Sequence, residues 1–118
     1  MRGQPLNREL ISLGARFAGA CRTSCCYRLY ALEGFSPPKP GLVRVSGEGS
    51  AIEVEIWELP AETFGRFVSM VRPPLAIGTV VLYTGESVNG FICEQVAVSE
   101  AQDITHFGSW RAFQARSQ

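Results

Sequence analysis

Hydrophobic and polar residues alternate most regularly in SAIEVEIWEL, where Ile52, Val54 and Ile56 take one side and Glu53, Glu55 and Trp57 the other. A period of two marks a half-buried strand. The next run, PAETFGRFVSMV, changes period: Phe64, Phe67, Val68 and Val71 form a helical stripe. Pro60 suits the first turn of that helix, Glu62 favours its positive end, and Arg72-Pro73-Pro74 stops it. TVVLYTGESVNGFICE predicts a hairpin turning near Thr84 and Gly85. SWRAFQA predicts a last helix with Trp110 and Phe113 inward.

Upstream, NREL predicts a short helical turn capped by Asn7, with Leu10 and Leu13 inward and Gly14 ending it. ARFAGACRT and CYRLYALE predict two strands; in the second, Tyr27, Leu29 and Ala31 alternate with Arg28, Tyr30 and Leu32. GFSPPKPGL holds three prolines and two glycines, which predicts a stiff loop. Mostly sequential antiparallel pairing with segregated helices predicts an α+β fold. The expected form is a small mixed, partly closed barrel-like sheet of five to six strands with two or three helices.

Composition narrows the class. A chain of 118 residues fits one domain, and 46% hydrophobic against 19% charged residues argues against disorder. No apolar run is long enough to span a bilayer and no signal-peptide pattern opens the chain, so a soluble cytoplasmic protein is expected, without a membrane partner. Basic and acidic residues balance at 11 each, and the basic excess expected of a nucleic-acid binder is missing. The four cysteines, Cys21, Cys25, Cys26 and Cys93, lack zinc-knuckle spacing, and a single histidine adds little. Buried thiols and no metal site are expected. No phosphate loop, dinucleotide fingerprint or serine elbow is present, so no cofactor is expected.

Candidate chemistry rests on single residues. Glu53 and Glu55 share a strand face, where two carboxylates can share a proton or one can act as a general base. A solvated sheet face explains the same charges, but Trp57 on that face prefers cover. His106 has an unperturbed pKa near neutrality, although a loop histidine is more often structural. Tyr27, Tyr30 and Arg28 can line a pocket for a small anion, with the arginine forking onto a carboxylate. A turn at Pro40, Gly41 and Leu42 would let a backbone N–H approach a ligand closely. Each of these also has an ordinary structural reading.

The runs GQPLN, RTSCCYRLYAL, PPKPGLVRV, AIEVEIWELP, FGRFV, PLAIGTV, VNGFICE and DITHFGSWRAF, in that order, resemble the C-terminal domain of allophanate hydrolase. More distantly the pattern is similar to the gamma-glutamylcyclotransferase-like fold. The resemblance implies one domain over residues 1–118, a central pocket, and decarboxylation of N-carboxycarbamate or a related small carboxylated amide supplied by an amidase partner. It implies a family first strand ending in Gly-Ala-His that would precede Met1, so that the chain lacks that strand and histidine. Pairing through the resulting sheet edge would give a homodimer. Site residues carried over are the segment Gly3, Gln4 to Asn7, with Tyr27, the Pro40-Gly41-Leu42 turn and Glu55. Arg2 or Arg28 would hold the anion, and Glu55 or His106 would move the proton. The glutamate of cyclotransferases has no counterpart in MVRPPLAIG, so that activity is not expected. The alternative is a non-catalytic ligand-binding or assembly module.

Overall fold

The computed structural model describes residues 11–35 and 38–116. Asn7 and Leu10 of the expected capped turn lie outside the described residues. Its end is seen: residues 11 and 12 are helical, Leu13 is buried, and Gly14 adopts φ +88°, its N–H donating to the Ile11 carbonyl at 3.0 Å.

Strand β1 (Arg16–Arg22) pairs antiparallel with β4 (Glu53–Glu58), setting Ala20 opposite Glu55. The register slips between Phe17 and Gly19, a bulge that Gly19 permits at φ +136°. Strand β2 (Tyr27–Leu32) lies between β3 (Lys39–Arg44) and the two-residue β7 (Gln102–Asp103). Strands β5 (Leu75–Val81) and β6 (Ser87–Cys93) form the expected hairpin. Gly85 takes φ +91° in its turn, and the Leu82 N–H donates to the Glu86 carbonyl at 2.8 Å. Helix α1 (Ala61–Ser69) follows Pro60, which stands at the N-cap, and buries Phe67 but leaves Val68 exposed. Helix α2 (Gln95–Val98) and a 3-10 turn (Thr105–Phe107) lead to α3 (Trp110–Ala115).

This is a mixed α+β domain with seven strands and three α-helices among the described residues. Two expectations need correction. The strands do not wrap into a partly closed five- to six-stranded barrel: they form three separate ladders, β1-β4, β3-β2-β7 and β5-β6. Single bridges at Thr23–Leu82 and Tyr27–Ser50, rather than continuous registers, join them. The second correction concerns Pro40, Gly41 and Leu42, which are strand residues of β3 and not a turn; they stand opposite Ala31, Tyr30 and Leu29. Proline at the start of a strand with one ladder partner is tolerated because few N–H groups are needed there. Gly41 serves packing: a Cβ there would meet Leu32 Cγ at 3.1 Å and Cys93 Cβ at 3.2 Å.

Side-chain hydroxyls extend the pairing at the ends of two ladders. Thr23 Oγ1 accepts from the Ile52 N–H at 3.0 Å, and Thr105 Oγ1 accepts from the Leu29 N–H at 2.9 Å. The main core gathers Tyr27, Leu29, Ile52, Ile104, Trp110 and Phe113. A second cluster joins Leu32, Val43, Cys93 and Val98, and a third sets Leu13 and Phe67 against Trp57 and Phe91.

Candidate functional site

A cavity of about 780 Å³ lies between the main and third core clusters. Phe17, Trp57, Phe64, Phe67, Phe91 and Trp110 supply aromatic walls. Polar groups are few: Glu53 and Glu55 from β4, Asn89 from β6, and Ser109, Arg111 and Gln114 from the cap and body of α3.

Local folding explains how α3 reaches this cavity. Gly108 takes the left-handed conformation at φ +79°, and its carbonyl accepts from the Glu53 N–H at 2.8 Å. That bond pins the entrance of α3 to the start of β4. Ser109 then caps the helix, its Oγ accepting from the Ala112 N–H at 3.0 Å. One turn of helix carries Trp110 into the core and swings Arg111 towards Glu55.

Glu55 is the best-enclosed charged group of the site, its side chain 13% exposed while that of Arg111 is 77% exposed. Trp57 Nε1 donates to Glu55 Oε1 at 3.3 Å, and Arg111 Nη2 lies 3.5 Å from Oε2. The second contact is an ion pair at the long limit of hydrogen bonding. The arrangement therefore presents an acceptor inside apolar walls and a guanidinium at the rim. Such a pair fits a small molecule carrying both an N–H and a carboxylate.

The fold brings together only part of the expected set. Glu55, Pro40 and Leu42 line the cavity. Gly41 lies between them in sequence and faces Leu32 and Cys93 instead. Tyr27 is fully buried away from the cavity lining, its hydroxyl accepting from the Val81 N–H at 2.9 Å. Arg28 also lies outside the lining: Nε donates to Asp103 Oδ2 at 2.7 Å and Nη1 donates to the Glu48 carbonyl. The Asp103 hydrogen bond raises the Arg28 guanidinium above its ordinary pKa. For Asp103, burial pushes upward, but hydrogen bonds from Arg28 and Thr105 outweigh it and hold the carboxyl below its usual range. His106 is exposed beside Phe107, with ring centroids 4.4 Å apart, and does not line the cavity. Arg2, Gly3, Gln4 and Asn7 lie outside the described residues.

Sequence reasoning missed Arg111, Ser109 and Asn89. Nothing local marks Arg111, because its partner is 56 positions away and only the Gly108–Glu53 bond brings the two segments together. The cysteines depart from expectation as well: Cys93 is buried, Cys21 is half-buried, and Cys25 and Cys26 are exposed. The exposed pair falls in the bend between β1 and β2, not on an inward strand position. Among the described residues, no group of three or more His, Cys, Asp or Glu is placed to hold a metal. No described helix is long and apolar enough to cross a membrane.

Three short antiparallel ladders around a cavity with one enclosed carboxylate define a small α+β pocket domain. The chain matches the allophanate hydrolase C-terminal domain over residues 1–115 and belongs to that family. It is 43% identical over 117 residues to the urea amidolyase of Lachancea kluyveri, covering 96% of this chain and 6% of that protein. The fold superimposes on Kluyveromyces lactis allophanate hydrolase with a TM-score of 0.94 at 40% identity, covering 100% of this chain and 20% of that one. A uropathogenic E. coli-specific protein is similar in extent: TM-score 0.89, 34% identity, with 98% of this chain and 89% of that one covered. The chain thus spans only a small part of the curated relatives it matches.

Proposed function

We propose that the domain decarboxylates N-carboxycarbamate, or a closely related small carboxylated amide, as a cytoplasmic partner of an amidase that supplies it. The observation that carries this reading is the Glu55–Arg111 pair at the cavity wall. Membership of the allophanate hydrolase C-terminal domain family supports the choice of substrate class.

In this reading Arg111 receives one carboxylate of the substrate and Glu55 faces its nitrogen. The other carboxylate leaves as CO₂: its C–N bond breaks, the electron pair stays on nitrogen, and nitrogen takes the proton of the Glu55 carboxyl. Carbamate remains, and water returns a proton to Glu55. Apolar walls favour loss of a charged carboxylate as neutral CO₂.

The test couples the purified chain to an amidase that hydrolyses allophanate and follows CO₂ release. Wild type should accelerate release over the amidase alone, Glu55→Gln should return it to the uncatalysed rate, and Arg111→Gln should raise KM. No acceleration by wild type overturns the reading.

A further inference from the structure

Two cysteines stand side by side in the bend between β1 and β2. Cys25 and Cys26 are both exposed, and neither lines the cavity. The other two thiols are engaged: Cys21 Sγ donates to the Arg22 carbonyl at 3.7 Å, and Cys93 Sγ donates to that of Glu94 at 3.5 Å. The bend is fixed on both flanks. The Ser24 N–H donates to the Val81 carbonyl at 2.9 Å, and the Cys26 carbonyl accepts from the Val45 N–H at 2.8 Å. Gly49 lies against the backbone of the pair, where a Cβ would come within 2.6 Å of the Cys25 carbonyl oxygen and 2.9 Å of the Cys26 carbonyl carbon. The main chain is thus held from behind while both side chains remain in solvent.

We infer that Cys25 and Cys26 together bind a soft monovalent cation, copper(I) or its analogue silver(I), through two thiolates. Adjacency works against the competing reaction. Neighbouring Cα atoms are about 3.8 Å apart, short of the about 4.4–6.8 Å that an unstrained disulfide spans, so the pair does not readily close on itself. An ion between the sulfurs relieves that constraint. With each metal–thiolate bond about 2.3 Å long, the sulfurs stand about 4.6 Å apart rather than the about 2.05 Å of a disulfide. Coordination number then selects the ion. Structural zinc takes four ligands, and among the described residues no group of three or more His, Cys, Asp or Glu is placed to hold a metal. Thiolates select copper(I), and two of them in a line satisfy it. On binding, each S–H gives its proton to water, two S–Cu bonds form and copper stays monovalent, so no oxidant or reductant is consumed. Neither cysteine touches the cavity, and this inference does not depend on the decarboxylation reading.

The probe is copper(I), supplied without oxygen as its acetonitrile complex to the reduced full chain, with bicinchoninate as the competing chelator. Wild type should hold one copper(I) per monomer against the chelator, and X-ray absorption should show two sulfur neighbours with no nitrogen or oxygen. Cys25→Ser and Cys26→Ser should each weaken binding at least tenfold, with circular dichroism spectra matching wild type because both positions are exposed. Cys21→Ser on β1 should leave binding unchanged. Full affinity in either single variant of the pair, a copper-linked dimer in sedimentation, or no binding against the chelator overturns the inference. Loss of binding in Cys21→Ser overturns the two-thiolate assignment, and displacement of copper(I) by equimolar zinc overturns the choice of ion. None of these readouts involves CO₂ release, so failure here and failure of the catalytic reading are separate results.

Discussion

The Tyr27 hydroxyl accepts a hydrogen bond from the Val81 N–H at 2.9 Å, tying the β2 ladder to the β5–β6 hairpin through a fully buried ring. Replacing Tyr27 by Phe keeps the ring but leaves that N–H without its acceptor. The expected loss is about 1–2 kcal/mol of stability, read as a lower urea midpoint with an unchanged m-value. An unchanged midpoint would mean that water replaces the hydroxyl fully.

The Arg28–Asp103 pair predicts a pH dependence of stability. The folded carboxyl titrates below its unfolded value, the hydrogen bonds from Arg28 and Thr105 outweighing the upward push of burial. Its contribution is therefore present above the ordinary aspartate range and is lost as pH falls through the folded value. Asp103→Asn should be less stable than wild type at pH 7, and the gap should narrow at pH 3. Both side chains are about one-third exposed, so the effect is modest. Thermal melts at the two pH values check it; an equal gap at both removes Asp103 as the titrating group.

Gly41 and Gly47 form a matched pair. A methyl at Gly41 would press on Leu32 and Cys93, whereas one at Gly47 meets nothing within 4 Å. Gly41→Ala should cost about 1–3 kcal/mol through overpacking, and Gly47→Ala should stay within about 0.5 kcal/mol of wild type. Chemical denaturation of the two variants side by side decides it.

Thiol chemistry should sort by position. Cys25 and Cys26 are exposed, while Cys93 is buried and burial raises its pKa, with Glu94 adding to the shift. Timed maleimide labelling read by mass spectrometry should modify Cys25 and Cys26 first, then Cys21, and Cys93 only after denaturation. Early labelling of Cys93 in native protein would contradict the packing of β6.

These tests separate what local pattern reveals from what only the fold reveals. The alternation of β4, the turn of Gly85 and the inward Trp110 and Phe113 are local signals, and each element forms where its pattern predicts. The β3 strand is hidden because Pro40 and the two prolines before the strand resemble loop punctuation, although pairing with β2 absorbs Pro40. Helix α2 has four residues and β7 two, too short for any period to register. At the site, Glu55 was legible because a tryptophan two positions on argued for cover. Arg111 was not, since an arginine on the polar side of a short helix resembles any solvated charge. Whether ladders close depends on joints between distant segments, and alternation within a strand carries no information about those.

Three hydroxyl groups, of Thr23, Tyr27 and Thr105, each stand in for a main-chain carbonyl where two segments meet, and of the three only that of Tyr27 spans two ladders. Backbone pairing is indifferent to residue type, but a hydroxyl is not. Drift from threonine to valine at position 23 or 105 would preserve shape and hydrophobicity while leaving the buried N–H of Ile52 or Leu29 without its acceptor. A buried N–H stripped of its oxygen costs stability, so these three side chains are as exposed to mutation as any catalytic group.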